Sequence, residues 1–180
     1  MRQAVRNLWS RSRGGLAALT LATTAAALLT GLAPGDKAPE FALKNQDAKE
    51  VTLKQQAGHP VLIYFYPKDG TPGCTKEACA LRDNFTNIQK TGAVIFGVST
   101  QDEKSHEGFR KDQKLPFDLL VDPNGDTAKK FGVGMIPGTD LLERKSVLIG
   151  PDGKVVKMYP TVDPGTHATE VLADLAALKK

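Results

Sequence analysis

The chain has 180 residues, 41% of them hydrophobic and 24% charged, which suits one globular domain with a sizeable core. Its formal net charge of +4 comes from position, because Arg2, Arg6, Arg11 and Arg13 precede Pro34 with no acidic residue among them. Without those four, 24 − 4 = 20 basic residues face 20 acidic ones, so no electrostatic footprint for nucleic acid remains and nucleic-acid binding is excluded.

The chain opens with the four arginines and then an uncharged run, Leu16 to Ala33, of Leu, Ala, Thr and Gly. Basic first and apolar next, with small residues late, is the logic of a secretory signal. The run of ~18 residues also approaches the lower limit for spanning a bilayer. Residues 1–33 are therefore expected to be a signal peptide or an N-terminal membrane anchor. Residues 34–180 are expected to form the domain, in an extracytoplasmic compartment and with possible N-terminal membrane contact. An organellar transit peptide is the weaker rival, since it would be amphipathic rather than continuously apolar.

After Pro34 no repeat or linker divides the chain. Gly35, Pro39 and the polar stretch Lys44 to Glu50 predict a lead-in loop and a short edge strand. Val61 to Tyr66, β-branched and aromatic and ended by Pro67, predicts a buried central strand. Cys74 to Lys90 carries Ala78, Leu81, Phe85 and Ile88 at helical spacing. Ala93 to Val98 predicts a second buried strand, Ser105 to Lys114 a helix, and Phe117 to Val121 a third strand before the turn Asp122-Pro-Asn-Gly125. Val147 to Ile149 and Val155 to Met158 flank Pro151-Asp-Gly153, a hairpin signal. Ala168 to Leu178 closes the chain as an amphipathic helix. Crossovers give parallel pairing and the hairpin antiparallel pairing, so the order predicts a mixed central sheet flanked by helices, a thioredoxin-like α/β fold.

The chemistry is concentrated in Phe65-Tyr-Pro-Lys-Asp-Gly-Thr-Pro-Gly-Cys-Thr-Lys-Glu-Ala-Cys79. It runs from a strand end through a tight loop into a helix, with Thr71 suited to cap the helix and Pro72 to its first position. Gly73 lets the backbone approach a neighbour closely. Cys74 then falls in the first helical turn, where free N–H groups and the macrodipole favour an anion, and the thiolate is the reactive form of cysteine. Glu77, one turn on, opposes that anion, so a cation has to reach the sulfur. On a regular helix residues five apart are ~140° apart around the axis and about 8.7 Å apart between Cα atoms. A disulfide needs Cα atoms within about 7 Å, so Cys74 and Cys79 are poorly placed for a permanent staple. A metal site would need more ligands than these two cysteines, and no nearby histidine supplies them. No metal and no cofactor are expected.

Pro67, Thr71 and Cys74 form a Pro-x-x-x-Thr-x-x-Cys signature that resembles the peroxiredoxins. Thr-Pro-Gly-Cys-Thr-x-Glu-Ala-Cys is similar to the peroxiredoxin Q, or bacterioferritin comigratory protein, branch. The likeness continues through Val98-Ser99, Ser105-His106, Leu115-Pro-Phe117, Gly125, Phe131-Gly-Val133 and Arg144-Lys-Ser146. The resemblance implies a thiol peroxidase acting on hydroperoxides, with Cys74 as nucleophile and Cys79 as the cysteine that resolves its sulfenic acid into an intramolecular disulfide. It further implies that Thr71 hydrogen-bonds peroxide or thiolate, that Pro67 shields the thiolate, and that Arg144 is the missing cation. The backbone N–H groups of Gly73 and Cys74 would complete the pocket. A thioredoxin-like protein is the implied reductant, and an in-chain resolving cysteine implies a monomer. A disulfide oxidoreductase would carry Cys-x-x-Cys instead. His59, His106 and His167 are read as loop or surface histidines, and Arg82 and Arg110 as surface pairing residues.

Overall fold

A computed structural model describes residues 31–178. The apolar run Leu16 to Ala33 falls almost wholly outside them. Seven strands, β1 (Ala42–Asn45), β2 (Glu50–Thr52), β3 (Val61–Phe65), β4 (Val94–Ser99), β5 (Asp118–Val121), β6 (Lys145–Ile149) and β7 (Val155–Tyr159), form one sheet in the order β2-β1-β5-β4-β3-β6-β7. β3 pairs parallel with β4 and β4 with β5, while β6 and β7 join antiparallel on one side and β1 and β2 on the other. The expected mixed sheet of a thioredoxin-like fold is therefore present. The lead-in segment forms a full hairpin rather than one edge strand, because the Asn45 carboxamide oxygen accepts from the N–H groups of Asp47 and Lys49 and closes the turn.

The helices are α1 (Pro72–Asp83), α2 (Phe85–Gln89), α3 (Glu103–Asp112), α4 (Asp126–Lys130) and α5 (His167–Ala177). The expected helix over Cys74 to Lys90 is two helices, interrupted at Asn84, whose side chain and backbone N–H both turn back onto the Ala80 carbonyl. α4 escapes the sequence pattern because its support is not local to it. The buried Asp122 carboxylate, on the far side of the turn, accepts from the N–H groups of Thr127 and Ala128. At the β6–β7 hairpin Gly153 adopts φ +76°, the left-handed conformation that the Pro-Asp-Gly turn requires.

Alternation along the strands divides the core between the two faces of the sheet. Leu62, Tyr64 and Tyr66 of the β3 segment, with Ile95, Leu119 and Leu148, meet Cys74, Ala78 and Leu81 of α1, Phe109 of α3, and Val171 and Leu175 of α5. Val61, Ile63, Phe65, Phe96, Val98 and Val147 face Phe41, Ala128, Phe131 and Leu142 on the other side. Every residue of β3 is buried, worth about 1.5–3 kcal/mol for each large apolar side chain. That strand is the rigid base from which the 66–71 loop and α1 project.

Candidate active site

α1 starts at Pro72, with Thr71 at the N-cap. The expected side-chain cap is not made. The Thr71 hydroxyl donates to the Lys68 carbonyl at 3.0 Å, tightening the loop before the helix instead. Pro72 has no N–H, and in the first turn the N–H groups of Gly73 and Cys74 have no intrahelical acceptor. Cys74, in that first turn, is buried at 1% exposure.

Arg144, at the residue before β6, reaches the sulfur because β6 lies beside β3. Its Nη2 is 3.1 Å from Cys74 Sγ, and its Nη1 donates to Glu77 Oε2 in a buried ion pair. Gly73 is what permits this. A Cβ there would lie 3.3 Å from Arg144 Nη2 and crowd the guanidinium. The sequence places Glu77 as an opponent of the thiolate, but the structure makes it a partner of the cation. Glu77 is fully buried on α1, and burial pushes its carboxyl up to about 7, against the lowering effect of the Arg144 charge and hydrogen bond. The guanidinium thus sits between a sulfur and a carboxylate, oriented by both.

Cys79 lies one and a half turns along the same helix, half-buried and free, with its thiol 3.5 Å from Gln113 Oε1. The two cysteines share one unbroken helix, so the spacing argument from the sequence applies to the observed backbone. Pro67 is half-buried where the chain leaves the sheet. Among the described residues, no group of three or more His, Cys, Asp or Glu side chains could hold a metal ion.

Two histidine readings need correction. His59 is exposed, but His106 and His167 are buried at 0% and 1%. His106 shares a helical face with Phe109, three residues on, and that spacing was the available signal for an inward position. His167 packs edge-on to Tyr159 with centroids 5.0 Å apart, and burial pushes it down to about 4. Arg82 pairs with Asp83 as expected, while Arg110 donates to the Phe117 carbonyl rather than to an acid.

A buried cysteine at a helix N-terminus, held by an arginine on a thioredoxin-like sheet with a second cysteine on the same helix, defines a thiol-based redox protein. Residues 34–158 match the AhpC/TSA family. Peroxiredoxin Q, chloroplastic, of Oryza sativa subsp. japonica is 39% identical over 92% of this chain and 82% of its own. Among solved structures, Xanthomonas campestris peroxiredoxin Q superposes with a TM-score of 0.71 at 36% identity, covering 78% of this chain and 92% of its own. Peroxidoxin BcpB from Mycobacterium tuberculosis reaches a TM-score of 0.76 at 30% identity, over 83% and 99%. The chain belongs to the AhpC/TSA family, and within it to the peroxiredoxins of the Q or bacterioferritin comigratory type, which are thiol peroxidases.

The same relatives correct the expected location. An extracytoplasmic domain is not upheld, because relatives aligned over most of the chain, from Oryza sativa and Suaeda salsa, are chloroplastic proteins. The physical reason is that a basic, acid-free segment followed by small apolar residues is common to several kinds of leader, and charge order alone does not distinguish them. Among the described residues, no helix is long and apolar enough to cross a membrane.

Proposed function

We propose that the domain of residues 34–180 reduces hydroperoxides at Cys74, resolves the product with Cys79 and works as a monomer. The observation that carries this is the 3.1 Å contact between Arg144 Nη2 and Cys74 Sγ at the start of α1. The cation and the free N–H groups of the first turn stabilise the thiolate, and water is kept off the sulfur by burial, with Pro67 as the shield at the loop. The Thr71 hydrogen is committed to the Lys68 carbonyl, so its oxygen accepts a hydrogen bond from the peroxide O–H rather than donating to the thiolate.

The Cys74 thiolate attacks the terminal peroxide oxygen. The O–O bond breaks, the sulfur becomes a sulfenic acid, and the departing alkoxide or hydroxide takes a proton to leave as alcohol or water. The Cys79 thiol then displaces water from that sulfenic acid, forming the Cys74–Cys79 disulfide. A thioredoxin-like dithiol returns both sulfurs to thiols and is itself oxidised to a disulfide. Arg144 also aligns the peroxide, through guanidinium N–H groups not given to Glu77 and Cys74.

Support comes from the chloroplastic peroxiredoxin Q relatives and from the X. campestris bacterioferritin comigratory protein, a neighbour at 34% identity whose structures concern alkyl peroxide reduction. Peptide mapping after one equivalent of peroxide tests the assignment. Formation of a Cys74–Cys79 bridge in a protein that sediments as a monomer, and its loss on adding reduced thioredoxin, is the expected result. A bridge between two chains would contradict the intramolecular route.

A further inference from the structure

The loop between Pro67 and Thr71 is anchored at its midpoint by a buried polar cluster that takes no part in the steps above. The Asp69 carboxylate accepts hydrogen bonds from Tyr66 Oη at 2.6 Å, Ser105 Oγ at 2.7 Å and His106 Nδ1 at 2.8 Å. Its backbone N–H donates to Gln101 Oε1 at 3.3 Å. His106 has no exposed side-chain surface, and Asp69 keeps only 8%. On its other side, His106 Nε2 faces the Leu120 carbonyl of β5 at 3.2 Å.

The ring faces the Asp69 carboxylate through Nδ1, while Nε2 lies between the Leu120 carbonyl and the Ser99 hydroxyl, the latter at 3.4 Å. The pair thus links the loop to α3 and β5 through buried hydrogen bonds. Burial raises the Asp69 carboxyl, but the hydrogen bonds and charge of His106, with the Tyr66 and Ser105 hydroxyls, outweigh it and hold the group below the usual carboxylate range. Burying a polar cluster is costly, and well-packed apolar residues of similar volume often serve stability as well. The stability of the fold therefore does not account for the pair, and its placement does. The loop closes on itself through the Thr71 hydroxyl and the Lys68 carbonyl, a bond that spans Asp69. Whatever fixes Asp69 also fixes where Thr71 Oγ1 points.

We propose that Asp69 and His106 are positioning residues for the peroxide. They pin the loop so that Thr71 stands in register with Cys74, and they act on substrate placement rather than on the thiolate. This rests on Cys74 and Thr71 forming the peroxide site. A misplacement of a positioning group by ~1 Å costs up to about 100-fold in rate without changing the nucleophile.

The test compares two reactions of the same sulfur in a Cys79→Ser background: its second-order rate with hydrogen peroxide and its alkylation by iodoacetamide, which needs a thiolate but no peroxide pocket. His106→Leu should slow the peroxide reaction by ~10-fold or more while alkylation stays within about twofold. His106→Asn, whose amide can donate to Asp69, should recover most of the loss. Asp69→Asn, which keeps its size, carries the same test should His106→Leu fail to fold. Equal losses in both reactions, no loss in either, or no recovery with His106→Asn would overturn the proposal. Peroxide consumption by Cys74→Ser, run alongside, would instead overturn the site on which it rests.

Discussion

At the residue scale the site turns on one guanidinium with two anionic partners. Arg144 touches Cys74 Sγ through Nη2 and the buried Glu77 through Nη1, so neither contact can be altered alone. Arg144→Met should slow peroxide attack by ~100-fold, the size of effect found when one donor to a developing anion is removed. Stopped-flow peroxide consumption by the variant and the native chain measures it. Gly73→Ala asks the same question more gently. The added methyl would stand 3.3 Å from Nη2, at the free end of a flexible side chain, so the guanidinium shifts by a few tenths of an ångström and the fold survives. The expected result is a slower peroxide reaction with an unchanged melting temperature. The sequence shows the need for a cation, because a cysteine and a glutamate share the first turns of one helix. It does not show that the cation binds both, since that depends on β6 lying beside β3, a pairing across about eighty residues of chain.

At the element scale α1 has two incompatible tasks. It holds Cys74 in the pocket while it is helical from Pro72 to Asp83, and it keeps Cys79 about 8.7 Å away between Cα atoms, beyond the ~7 Å that a disulfide spans. The proposed Cys74–Cys79 bridge therefore requires the turn between them to open on oxidation, which would also carry the disulfide out toward a reductant. Hydrogen exchange should show protection lost near residues 73–82 in the oxidised protein and kept in β3 and β4. Equal protection in both states, with the disulfide confirmed by mass, would contradict this. The buried strands were legible as continuous apolar, β-branched runs, and α5 from its helical spacing. The break at Asn84 and the short α4 were not, because each depends on a hydrogen bond that hydrophobic spacing does not encode. The buried positions of His106 and His167 were hidden for a related reason: burying a histidine depends on neighbours from other elements, here Asp69 and Tyr159.

For the whole molecule, two buried groups pull the pH dependence of stability in opposite directions. Burial raises Glu77 from its ordinary 4.5 to about 7, so its contribution is fully present below 4.5 and is lost as pH rises through about 7. Burial lowers His167 from 6.5 to about 4, further depressed by the charges of Arg144 and Lys157 and partly offset by Glu170 and Asp174. Its contribution is present above 6.5 and is lost as pH falls through about 4. Each amounts to ~3 kcal/mol, and between pH 4.5 and 6.5 they nearly cancel. Urea unfolding at several pH values should give a flat profile there for the native chain. Glu77→Gln should make stability rise with pH across that window, and His167→Phe should make it fall. The central claim is that one sulfur attacks peroxide and the other only resolves the product, and single-turnover stopped-flow measurement of peroxide consumption tests it most directly. The account predicts no consumption by Cys74→Ser, and one equivalent consumed by Cys79→Ser, which then stalls as a sulfenic acid; consumption by Cys74→Ser, or full turnover by Cys79→Ser with reduced thioredoxin, would contradict it.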